Sequence, residues 1–167
     1  QLFDLRLASN FIIDHAREIH NRSQNSFGSG FDIITAFMDV RSLVCRIRAN
    51  GEYSYEEINL PETIRIIVVE NDEYVQTSEM ITSYEASKNK YKDYFSQHAP
   101  KMKNELELLY KSILKSDNES IFRHLRTYNE SLVDMSNIFN LGVFNNHHEL
   151  IKFAKNEGVF YKPSGSG

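Results

Sequence analysis

Two short loops carry the residue types that hold anions. Gly28-Ser29-Gly30-Phe31-Asp32-Ile33 and Lys162-Pro163-Ser164-Gly165-Ser166-Gly167 each join glycines to serine hydroxyls, and the second adds a lysine. Glycine lets backbone N–H groups approach a ligand closely, a hydroxyl adds a donor, and an ammonium attracts phosphate as a point charge. Gly28, Ser29, Gly30, Lys162, Ser164, Gly165, Ser166 and Gly167 therefore form a candidate phosphate- or substrate-binding set. Taken singly, each loop is also an ordinary glycine-serine turn. Asp32 stands where an amphipathic stretch begins, and an aspartate there either caps a helix or offers a working carboxylate. The residues alone leave both readings open.

Other chemistries find less support. His147 and His148 are adjacent, which points their side chains about 100° apart on a helix, and no Cys or carboxylate repeats at metal-ligand spacing. A zinc site is not expected. The chain has no Gly-x-Ser-x-Gly elbow, and Cys45 lies in a strand-like run without a nearby His, so hydrolase chemistry is not suggested. A net charge of -4 argues against a general nucleic-acid binder, which needs a basic face. The 167 residues are 41% hydrophobic and 25% charged, and no apolar run approaches the roughly 18 residues that span a bilayer. No membrane partner is expected, and residues 1–15 show no secretory-signal pattern. The lone Cys45 fits a reducing cytoplasm.

The loops need elements to position them. Leu5, Ala8, Ile12, Ala16 and Ile19 recur at spacings of three and four, predicting a helix that ends near His20. Residues 21–30 read as a loop, followed by a short helix at about Phe31 to Met38. Ser42 to Arg48 and Glu52 to Ile58 read as strands joined by a tight turn at Asn50-Gly51. The β-branched run Thr63 to Val69 predicts a buried central strand. Helical periodicity then runs from Thr77 to about His98 through Met80, Tyr84, Tyr91 and Phe95, and Pro100 predicts a break before the next helix. Another helix is expected from Asp117, a good N-cap, and a last one from Asn145 or Asn146 to Gly158. Val159 to Tyr161 reads as a strand leading into the second loop. The aromatic stripe of Tyr84, Tyr91 and Phe95 is expected to be core.

The run His20-Asn21-Arg22-Ser23-Gln24-Asn25-Ser26-Phe27-Gly28-Ser29-Gly30-Phe31-Asp32-Ile33 is similar, without a gap, to the AH-x-x-AQG-x-x-GSGFDV segment of phosphomevalonate kinases, members of the GHMP superfamily. The loop from Lys162 to Gly167 resembles the third GHMP motif, KPSGAGGGD in its bacterial form. Val75 to Ile81 resembles the hydroxyl-rich opening of the first helix in that family's C-terminal domain. Asn25 stands where the family usually has glycine, and Met38-Asp39 replaces its Tyr-Gly.

The resemblance implies an α+β, two-domain GHMP kinase-like fold, with residues 1–60 as the later part of an N-terminal domain and 61–167 as a helix-rich C-terminal domain, the two meeting at a cleft. The first two motifs are then expected before Gln1 and the closing strand beyond Gly167. It implies ATP-dependent phosphoryl transfer to a small-molecule acceptor, 5-phosphomevalonate, with ATP and Mg2+ as cofactors. Asp32 inherits the catalytic role, Thr77 and Ser78 a place near the acceptor, and Glu18, one turn before the loop, a weaker candidacy for magnesium. Mevalonate kinase or another GHMP sugar or alcohol kinase is the enzymatic alternative. A helical binding module without catalysis is the other.

Overall fold

A computed structural model of the chain describes residues 5–23, 30–38, 43–48, 52–69 and 77–163. It is mostly helical with a small antiparallel sheet, an α+β composition. The chain divides into two units, Gln1–Asn59 and Leu60–Gly167.

In the first unit, helix α1 spans Leu5–Ser23 and helix α2 spans Phe31–Phe37. Strands β1, Leu43–Ile47, and β2, Tyr53–Glu57, pair antiparallel with Val44 opposite Glu56 and Ile47 opposite Tyr53. Beyond the paired strands, Arg48 N–H donates to the Glu52 carbonyl at 2.8 Å. The expected Asn50-Gly51 turn itself lies outside the described residues. Ile13 of α1, Ile34 of α2 and Ile58 are buried and form this unit's core.

The face of α1 that packs is not the one the apolar spacing marks. Ile12 and Ile19 of that stripe are 49% and 68% exposed, whereas Ile13 is 1% exposed. Residues 13, 16, 17, 20 and 21 recur at three and four, so Arg17, His20 and Asn21 share the partly covered side of α1 with Ile13 and Ala16.

The second unit is built on α3 (Thr77–Lys90), α4 (Lys92–Leu114), α5 (Asn118–Ile138) and α6 (His148–Asn156). The break between the first two falls at Tyr91, φ -111° and ψ 41°, and not at Pro100. Pro100 lies inside α4, where it removes the bond to the Ser96 carbonyl. Ser96 and Pro100 are both exposed, so the freed carbonyl is not confined to the core and water can take it. At Tyr91 the chain turns around an aromatic cluster instead. Phe139 is buried among Tyr84, Tyr91 and Tyr94, with centroids 5.9, 5.7 and 5.9 Å away, and its carbonyl accepts from Ser87 Oγ at 3.2 Å. Phe95 meets Tyr84 edge-on at 6.1 Å, so the stripe expected to be core packs around Phe139 but is itself only half-buried.

Asp117 caps α5 as its residue type predicts, its carboxylate accepting from Ser120 N–H at 3.1 Å. Between α4 and α5, His124 Nδ1 meets Glu105 Oε2 at 2.7 Å. Gly158, φ +66°, closes α6 with Val159 N–H on the Ala154 carbonyl and Gly158 N–H on that of Lys155, a Schellman pattern.

Two expected strands do not form. Residues 63–69 adopt no regular structure, and Ile66, Ile67 and Val68 are 72%, 82% and 88% exposed. Strand character needs a partner edge, and among the described residues of this unit there is none. Val159 to Tyr161 is likewise irregular, tied down by Tyr161 Oη against Nδ1 of the buried His147. No helix among the described residues is long and apolar enough to cross a membrane.

Candidate functional site

The carboxylate of Asp32 is the centre of a polar group assembled in the first unit. Gly30 precedes α2 with φ +70° and ψ 14°, a left-handed conformation that L side chains resist. A methyl group there would also lie 2.8 Å from Nε and 2.9 Å from Cγ of Arg17. Glycine is thus required twice, once by the backbone and once by the close approach of α1. The Gly30 carbonyl accepts from Ile34 N–H at 3.1 Å to open the helix, and buried Ile34 anchors it.

This arrangement leaves Asp32 in the first turn of α2, exposed. Among the described residues the group it faces is His20, whose Nε2 stands 3.4 Å from Asp32 Oδ2. The imidazole is the more enclosed partner, 22% exposed against 54% for the aspartate.

Around this pair the covered side of α1 supplies further polar groups. The Arg17 guanidinium lies 4.3 Å over the ring of Tyr53, a cation–π contact that ties α1 to β2. Tyr53 Oη donates to Asp14 Oδ1 at 3.1 Å. Burial, then the Asp14 hydrogen bond, pushes the Tyr53 hydroxyl above its ordinary value, so it remains a donor. Burial also raises Cys45, only partly offset by Arg17, which holds it as an unreactive thiol at neutral pH. Asn21 Oδ1 is buried with no hydrogen-bond partner among the described residues. An exposed carboxylate beside an imidazole can take up or release a proton, or orient a cation at a bound anion.

The other candidates stand as follows. Glu18 is ion-paired with Arg22 one turn on, and at about 100° per residue it lies on α1 roughly 160° away from His20. The fold does not bring it to Asp32. Among the described residues no three His, Cys, Asp or Glu side chains converge on one point. Lys162, in the second unit, donates from Nζ to the Pro163 carbonyl at 2.8 Å. The residue is exposed overall, yet partial enclosure of its ammonium pushes it below the ordinary lysine value. Pro163 is buried and fixes the start of that loop. Thr77 and Ser78 open α3. Gly28, Ser29, Ser164, Gly165, Ser166 and Gly167 lie outside the described residues.

His20, Arg17 and Asn21 are what periodicity alone passes over. Their signal is a set of polar residues spaced three and four apart on the side of α1 that carries Ile13. No protein-family model, curated protein or solved structure matches this chain.

Proposed function

We propose that the chain takes part in ATP-dependent phosphoryl transfer to a small-molecule acceptor, 5-phosphomevalonate, as a cytoplasmic enzyme of the GHMP kinase type. One observation carries this reading. A left-handed glycine precedes an exposed Asp32 carboxylate that faces His20, at the position where the run ending Gly-Ser-Gly-Phe-Asp resembles that family's catalytic loop.

Phosphoryl transfer requires little covalent help, so positioning and charge supply most of the rate. A phosphate acceptor, with a second pKa of about 6, is already largely ionised and needs no base. Asp32 then serves by orienting a cation toward the reacting oxygens. An alcohol acceptor such as mevalonate must lose a proton, and Asp32 would take it. Magnesium is commonly held by one or two carboxylates together with substrate phosphates, a demand that Asp32 can meet and Glu18, paired with Arg22, meets less well. Lys162 is the second loop's phosphate contact in this proposal, with two N–H donors left beyond its bond to Pro163.

The test is Asp32→Asn in the full-length protein, assayed with Mg-ATP and either acceptor. Turnover is expected to fall roughly a hundredfold or more with the melting temperature and ATP affinity nearly unchanged. A variant that turns over normally removes Asp32 from the reaction. Turnover of mevalonate but not phosphomevalonate by the unaltered protein moves the acceptor to the alternative.

A further inference from the structure

The pairing of Asp32 with His20 joins two separate elements, α1 and α2. Asp32 sits in the first turn of the short helix α2 with its side chain 54% exposed, where a carboxylate attached through two rotatable bonds has several directions open to it. His20 sits in the last turns of the nineteen-residue α1, on the side that also holds Ile13, Arg17 and Asn21. Ile13 of α1 and Ile34 of α2 are buried, and Arg17 is pressed against Gly30 two residues before the aspartate. The imidazole is therefore the fixed member of the pair and the carboxylate the member being held.

We infer that His20 is a positioning residue for Asp32. The imidazole approaches the carboxylate through Nε2 on the Oδ2 side, where an N–H can hold that oxygen and leave Oδ1 for a ligand. The separation of 3.4 Å is longer than a settled N–H···O bond, so the contact holds the carboxylate by proximity and charge. The inference rests on the reading of Asp32 as the working carboxylate, and it adds a group to which neither glycine loop points.

Two measurements decide it, and they fail separately. Ring-nitrogen NMR of the full-length protein reports the contact without any turnover. Asp32→Asn is expected to move the Nε2 resonance of His20 while leaving that of His98, in the other unit, in place; an unmoved His20 resonance overturns the inference. Kinetics with Mg-ATP and phosphomevalonate report the role. His20→Ala is expected to lower kcat roughly tenfold, the scale of one hydrogen bond to a charged group, without raising KM for ATP. His20→Gln, which keeps an N–H donor at comparable reach, is expected to restore most of the loss. In an Asp32→Asn background His20→Ala should cost nothing further, because a group acting through Asp32 has nothing left to hold. Equal losses in both backgrounds overturn the positioning role. An unaltered protein without turnover instead sinks the phosphoryl-transfer reading, and the nitrogen spectrum still decides whether His20 holds Asp32.

Discussion

Gly30 and Gly158 have nearly the same backbone, φ +70° and +66°, yet their surroundings differ. At Gly158 an added Cβ meets nothing within 4 Å, so alanine there pays for the left-handed conformation alone. At Gly30 the same atom runs into Nε and Cγ of Arg17, whose guanidinium is already stacked on Tyr53. Gly158→Ala is expected to cost about 1 kcal/mol. Gly30→Ala is expected to cost about 2–3 kcal/mol, because displacing Arg17 adds an overpacking term. Denaturant titrations of the two variants check this, and equal losses would show that Arg17 gives way freely. The same pair shows how far single residues were readable. A glycine beside Asp32 was visible as a loop residue; that its missing side chain makes room for Arg17 was not, because nothing local relates positions 17 and 30.

Element ends were legible where a cap joins residues three or four apart, but not everywhere: α1 runs on to Ser23 past the end expected near His20, and α6 opens at His148 and not at Asn145 or Asn146. Asp117 is a case where type and role agree, and its electrostatics give the agreement a measurable form. The Ser120 hydroxyl, then its backbone N–H, hold the Asp117 carboxyl below its ordinary value. A carboxyl depressed in the folded state stabilises that state above its unfolded pKa, about 3.9, and the contribution disappears as pH falls through the lower folded value. The melting-temperature gap between the parent and Asp117→Ala is therefore expected to be constant near neutrality and to close only below about pH 4. A gap that persists undiminished into stronger acid would mean the cap does not depend on the ionised carboxylate. Helix interiors were less legible. Pro100 predicted a break by a local rule, but an exposed proline with its freed carbonyl facing water is tolerated, and the aromatic cluster around Phe139 set the break at Tyr91. That cluster gathers residues 84 to 139, a span that no window of periodicity covers.

At the scale of the whole chain, composition and periodicity supported an α+β assembly rich in helix, and the run from Thr63 to Val69 is where they overreached. Its β-branched residues are those of a central strand, but a strand is a pairing between segments, and residue type cannot report whether a partner edge exists. The two interpretations differ in what a charge would do. In a buried central strand, lysine at position 67 would strand an unpaired ammonium in the core and unfold the unit. With Ile67 82% exposed in irregular chain, Ile67→Lys is expected to change stability by no more than about 0.5 kcal/mol. Ile121 provides the internal standard, because it lies in the same unit, is 2% exposed, and belongs to the capped helix α5. Ile121→Ala is expected to cost about 2–5 kcal/mol through lost burial and the cavity left behind. The comparison uses one unfolding transition for both variants, so errors in extrapolation cancel. If Ile67→Lys destabilises as much as Ile121→Ala, the run is buried in the protein as it exists in solution, and the strand that the sequence predicts is restored.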